Sequence, residues 1–182
     1  GLSIGLIDYR NVPLSSQSNF SIFCQEVQSN PAFVEHCQRC YSRGVLEALR
    51  MDAPYYFRCN FDIVKVIIPI VIEGRYIGAV VTGQVKISGD SRQDSIEKYT
   101  NIVADSIDEP KIAISYSNIP SISFEELKNC VAMISTMLEY IIESELKHMG
   151  SYSSNSAAVA DQNLSENSLG YLQLSVDPDS RY

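Results

Sequence analysis

The chain has 182 residues, 45% of them apolar, and a formal charge of −8. That length buries a core without a disulfide or metal staple, and one domain is the first expectation. The acidic balance excludes an electrostatic hold on nucleic-acid phosphates or on an anionic membrane surface.

Residues Ser3 to Leu14 read as one or two short strands, with Asp8 and Asn11 as turn formers. A helix is expected from Asn19, with Phe20, Phe23, Cys24 and Val27 at steps of three and four. Asn30-Pro31 restarts the chain, because Pro31 suits the first helical position. That second helix should end at Arg50, before Asp52-Ala53-Pro54. Three strands are expected next, over Tyr55–Asn60, Ile63–Ile72 and Tyr76–Ile87. Glu73-Gly74-Arg75 between the last two is a hairpin signal. Pro69 lacks a ladder donor, so it should sit at an edge, a bulge or a kink. A further helix is expected over Arg92–Asp105. Ser123-Phe124-Glu125-Glu126 is a capping box. Leu127, Val131, Ile134, Leu138 and Ile141 follow at alternating steps of four and three, a heptad seam that points to a homodimer. Residues 1–149 form the expected domain. Residues 150–182, rich in serine and asparagine, read as a linker or docking tail.

The chain starts without methionine, and no charged segment precedes an apolar run, so no leader is read. The longest apolar stretch, Val66 to Ile72, is too short to span a bilayer, so no membrane partner is expected. The five cysteines are odd in number, which argues against a paired extracellular framework and for the cytoplasm. A fragment of a longer protein is the expected setting.

Cys37-x-x-Cys40 is a ligand pair that shares one helical face. Cys24 and Cys59 complete a set of four that suits zinc. The same four residues also read as small buried hydrophobes, as redox sensors, or as pocket lining. His36 reads as exposed, and His148 as a cation near a helix C-terminus. No nucleophile elbow, phosphate loop or dinucleotide fingerprint is present, so no enzyme is expected. Phe20, Phe23, Tyr55, Tyr56, Phe57 and Phe61 cluster around the cysteines. Thr82 and Gln84 are polar in an apolar strand and need partners, either backbone or a ligand. Gly78 and Gly83 mark a bulge, a close backbone approach, or clearance for a helix. The ligand-site candidates are Phe23, Tyr56, Phe61, Thr82 and Gln84.

Phe23-Cys24, Tyr56-Phe57-Arg58-Cys59, Pro69-Ile70 with Gly74, and Ile77-Gly78 leading to Gly83-Gln84-Val85 form one frame. The frame resembles the PocR sensory domain, a relative of the PAS fold. The departure is Asn60-Phe61-Asp62, where that family shows a glycine-leucine. The resemblance implies an α/β PAS-like antiparallel five-stranded sheet with helices on one face and a long C-terminal helix. It also implies a sensor of a small hydrocarbon derivative such as a short diol. The effector implied elsewhere in the full protein is an AraC-type DNA-binding domain or a kinase. A cysteine-based metal or redox sensor is the rival reading.

Overall fold

The computed structural model describes residues 1–89 and 109–172. The helix expected over Arg92–Asp105 lies outside them, as does the end of the expected tail from residue 173 on. The elements are β1 (Ser3–Asp8), α1 (Ile22–Ser29), α2 (Pro31–Met51), β2 (Tyr55–Arg58), β3 (Val64–Ile72), β4 (Arg75–Ile87), α3 (Glu109–Ser117), β5 (Ser121–Ile122) and α4 (Phe124–Leu172). The chain divides into two units, Gly1–Ile134 and Ser135–Tyr182.

The first unit holds a five-stranded sheet in the order β1-β4-β3-β2, with β5 beside β4. The pairings along that path are antiparallel. The two-residue β5 instead runs parallel to β4. A long connection containing α3 separates the two strands, which a parallel pairing requires. The mixed α/β architecture with a C-terminal helix agrees with the PAS-like expectation.

The β3–β4 hairpin turns on Glu73 and Gly74, both at positive φ (50° and 74°). Two successive positive values give the turn twist that hairpins favour. Pro69 pairs with Ala79 of β4, but β2 reaches β3 only as far as Ile67. On its other side Pro69 is therefore at a local edge, where a missing donor costs nothing.

Helix α1 starts later than the apolar spacing predicts. Asn19 sits at φ 51°, which cannot begin a right-handed helix. Ser21 is the cap, and its hydroxyl accepts from the Cys24 amide at 3.1 Å. The capping box of α4 is formed as read. The Ser123 amide donates to Glu126 Oε2 at 2.8 Å, and the Glu126 amide donates to Ser123 Oγ at 3.1 Å.

Apolar positions fill two clusters. One joins α2 to the sheet through Val45, Ala48, Ile67, Ala79 and Val81. The other joins α1, α2 and α3 through Phe23, Val27, Phe33, Ile63, Tyr116 and Ile119. Phe57 meets Tyr41 of α2, with ring centroids 6.5 Å apart. The adjacent Tyr56 meets Phe124 of α4 at 5.6 Å. Strand side chains alternate, so α2 and the first turn of α4 lie over opposite faces of β2. The first two residues of the heptad seam, Leu127 and Val131, are fully buried.

Helix α3 is tied to α1 by Glu26. Ser115 Oγ donates to Glu26 Oε2 at 2.6 Å, and Lys111 Nζ lies 3.1 Å from Oε1. The Ser115 hydrogen bond, and behind it Lys111, holds the Glu26 carboxyl below its ordinary 4.5 against the opposing effect of burial. A depressed carboxylate stabilises the fold above its unfolded value, and the contribution fades as pH falls through the folded value. Glu26→Gln should therefore flatten the acid side of the stability profile below pH 4.5. The check is chemical denaturation from pH 3 to 7. An acid limb as steep as that of the parent protein would contradict it.

The second unit is helical from Ser135 to Leu172. The helix continues past Gly150, where serine-rich composition suggested a linker. No proline interrupts residues 121–177 to stop it. His148 accordingly lies inside α4 instead of near its end. In this unit Leu138 is half-buried, whereas Met137, Tyr140 and Ile141 are exposed.

Candidate functional site

Beside β1 lies a cavity of about 480 Å³, walled by the loop after β1, by α1 and by α2. The loop is fastened to the outer edge of β1. Leu14 donates to the Leu6 carbonyl at 2.9 Å, and Ser18 to the Ile4 carbonyl at 2.8 Å. Its first turn is built by Asp8, whose Oδ1 accepts from the amides of Arg10 and Val12, both at 2.8 Å. The Val12 amide is the main cause holding the Asp8 carboxyl below its ordinary range.

Ile7, Pro13, Phe20, Val34 and Cys37 supply apolar lining. Asn11, Ser15, Ser16, Gln17, Gln25, Gln28, Gln38 and Tyr41 supply polar lining, all of it uncharged. The volume falls within the range typical of small-molecule sites.

Phe23, Tyr56, Phe61, Thr82 and Gln84, the residues expected at a ligand site, are not among those lining this cavity. Phe23 is in the core, edge-on to Phe61 at 5.3 Å and to Tyr116 at 5.1 Å. Tyr56 packs against Phe124. The Thr82 hydroxyl donates to the Ser3 carbonyl at 2.7 Å. Gln84 is satisfied at both ends: Oε1 accepts from the Ser21 amide at 2.8 Å, and Nε2 donates to Gln17 Oε1 at 3.1 Å. Gln84 therefore reaches the cavity only through Gln17.

A bulge aims Gln84 there. Val64 pairs with Val85 and Lys65 with Gly83, which leaves Gln84 as the extra residue at φ 58°. Gly83 stands at φ 107°, and a Cβ on it would meet the Val64 carbonyl oxygen at 2.8 Å. Gly78 likewise backs directly onto the Ile7 carbonyl of β1. Both glycines thus mark close backbone approach, and neither makes room for a helix. Gly83→Ala should destabilise the fold by more than about 2 kcal/mol, since its clash is with backbone and its φ is unfavourable. Urea melts test this, and a loss within a few tenths of a kcal/mol would contradict it.

The four cysteines gather at one place. Cys24 and Cys59 are buried in the α1–α2–α3 cluster, and Cys37 and Cys40 pack against it. Buried Lys65, 2% exposed, sits among them, its Nζ 3.0 Å from the Tyr41 oxygen and 4.4 Å from that ring's centre. Burial pushes Lys65 toward the neutral amine, but Tyr41, Cys59 and Cys24 together prevail and raise it. Burial also pushes the Cys37 thiol up to about 11, against the pull of Lys65. Among the described residues no group of three or more His, Cys, Asp and Glu side chains is placed to hold a metal ion. Packed thiols and a zinc site are the two readings of this cluster. Stoichiometric zinc in freshly purified, reduced protein would select the zinc site, and its absence the packed thiols.

Sequence reasoning missed Asn11, Tyr41 and the 15–17 loop. A signal existed for part of the lining. Gln25 with Gln28, and Val34 with Cys37, Gln38 and Tyr41, recur at steps of three and four along single helical faces.

The chain combines an antiparallel sheet, helices packed on it and a cavity of the size of small-molecule sites. The chain belongs to the family described as "Sensory domain found in PocR", whose model matches residues 1–146. It is 28% identical over 147 residues to Regulatory protein PocR of Salmonella typhimurium (strain LT2), an alignment covering 81% of this chain and 46% of that protein. The chain thus spans about half the length of the curated relative it matches. No solved structure matches it. Among the described residues no helix is long and apolar enough to cross a membrane.

Proposed function

We propose that this domain binds a small neutral molecule with polar and apolar parts, of the short-diol kind, in the cavity beside β1. The observation that carries this is the lining itself. Hydrogen-bonding side chains alternate with Ile7, Pro13, Phe20 and Val34, and among the described residues no charged side chain lines the wall. A charged ligand would lose its hydration there without gaining a counter-charge. Membership of a family of sensory domains supports the reading.

The test is thermal denaturation of the full chain with a panel of short diols, sugars and carboxylates. A ligand at about one hundred times its Kd adds about 2.7 kcal/mol of stability. Stabilisation by neutral compounds and not by carboxylates is expected. Stabilisation by carboxylates alone would defeat the proposal.

The relay follows from the same chain. A ligand shifts an equilibrium only by its differential affinity for two states. The cavity walls α1 and α2 are candidates for the moving part, and α4 for the exit toward an effector of AraC or kinase type. The apolar exposure of Met137, Tyr140 and Ile141 supports a homodimer through the later half of the seam. Leu138→Asp should then turn a dimer into a monomer in light scattering. A parent protein already monomeric at tens of micromolar would end the dimer proposal.

A further inference from the structure

Gln84 is 2% exposed near the end of β4, and both ends of its side chain are held by the protein. The direction of each bond is fixed, because a backbone N–H can only donate. The Ser21 amide donates to Gln84 Oε1 at 2.8 Å, so that position must be the oxygen of the side-chain amide. The other end is then Nε2, which donates to Gln17 Oε1 at 3.1 Å. The orientation of Gln17 follows in turn. Its oxygen is taken by Gln84, and its Nε2 is left with no acceptor among the described residues.

Gln17 is half-buried and lines the cavity. Its stem rests on Gly5 of β1, where a Cβ would collide with Gln17 Cγ. At the far end of the chain of bonds, Ser21 is the N-cap of α1. Helix α1 is in turn tied to α3 through Glu26 and Ser115. One directed line of hydrogen bonds therefore runs from the cavity wall, through the bulge of β4, to the start of α1.

We infer that Gln17 contacts the ligand by donating from Nε2 to an acceptor atom, and that the Gln17–Gln84–Ser21 line carries this contact to the cap of α1. This rests on the cavity being the ligand site. Hydrogen bonds in a chain polarise one another. An amide that donates from its nitrogen has a more negative oxygen, so Gln17 Oε1 holds Gln84 Nε2 more strongly. The same step at Gln84 tightens its hold on the Ser21 N–H. A molecule that fills the cavity without an acceptor at Gln17 leaves Ser21 as it was.

The experiment is a nitrogen–proton correlation NMR titration of the full chain with butan-2-one, with its isostere 2-methylbut-1-ene, and with butane-2,3-diol. The ketone and the diol should move the Ser21 amide proton to lower field and slow its exchange, whereas the alkene should not. Gln17→Met removes the donor at a half-buried loop position. It should lower ketone affinity about tenfold, leave alkene affinity unchanged and abolish the Ser21 shift. Gln17→Glu keeps the acceptor for Gln84 but offers the ligand an oxygen, so it should lose the ketone and retain butan-2-ol, which can donate. Gln84→Met should weaken the ketone only while Gln17 is present, so the double variant should bind it no more weakly than Gln17→Met alone. Parent-like ketone affinity in Gln17→Met, an equal loss for ketone and alkene, or equal Ser21 shifts from the two overturns the inference and leaves the cavity reading standing. Absence of binding by all the probes to the parent protein overturns both.

Discussion

Phe23→Ala is expected to lower the unfolding free energy by about 3–5 kcal/mol, the range for emptying a packed aromatic site. Phe23 is 1% exposed. It stands edge-on to both Phe61 and Tyr116, so three elements share one aromatic cluster. Tyr116 is itself anchored, since its hydroxyl donates to the Phe61 carbonyl at 3.1 Å. The surrounding backbone has little room to collapse into the hole, which places the cost toward the upper end. Urea denaturation of both proteins gives the difference. Stability within about 1 kcal/mol of the parent, coupled to loss of ligand binding, would instead make Phe23 a ligand contact.

The second large effect concerns Lys65 and Tyr41. Tyr41→Phe removes the hydroxyl that accepts from a buried ammonium. Leaving a buried charged donor without its acceptor should cost about 2–3 kcal/mol. Lys65→Met removes the charge and keeps the length of the side chain. Replacing a buried ion with an apolar residue is often neutral or stabilising by about 1–4 kcal/mol. The double variant should therefore be more stable than Tyr41→Phe alone. A cycle of four melts gives the coupling directly. Additive losses would show that Lys65 does not depend on Tyr41. In that case the cysteine side of the cluster, Cys24 and Cys59, would be what holds the ammonium.

Much of the fold was legible because its signals are local. The β-branched run Val64–Ile72, the Glu73-Gly74 turn and the Ser123–Glu126 box each state their structure within a few residues. Pro31 at the first position of α2 belongs with them. One reading that looked equally local went astray. Asn19 continued the apolar spacing of α1, but its contact is distant: Nδ2 donates to the Leu2 carbonyl at 3.2 Å, and its backbone is left-handed. The serine-rich stretch after Gly150 has weak helix propensity but no breaker, and α4 runs on to Leu172. Propensity is a weak guide when nothing stops the helix.

The candidate site was less legible. The aromatics beside the cysteines are apolar and close in sequence, which drew the ligand reading to Phe23, Tyr56 and Phe61. The structure uses Phe23 and Phe61 to fill the core and sets Tyr56 against Phe124. Gln25 and Gln28 share a face of α1, and neither they nor Gln38 of α2 carry a local signal of lining a site. Only the return of residues 9–20 along the edge of β1 turns that face into a cavity wall.

By itself the sequence determined most local elements and the acidic balance, because periodicity, turn residues and net charge need no knowledge of distant contacts, and its motifs, such as Tyr56-Phe57-Arg58-Cys59, carried the resemblance to the family and its fold. The tertiary structure alone decided which groups are left with unused hydrogen bonds. Gln84 looked unpartnered in its strand, yet the Gly83 bulge delivers it to Ser21 and Gln17. Asn11 looked like an ordinary turn residue, yet its Oδ1 lies buried without a donor among the described residues. Satisfaction of a polar atom depends on neighbours brought together from tens of residues away, and burial is a property of the packed chain.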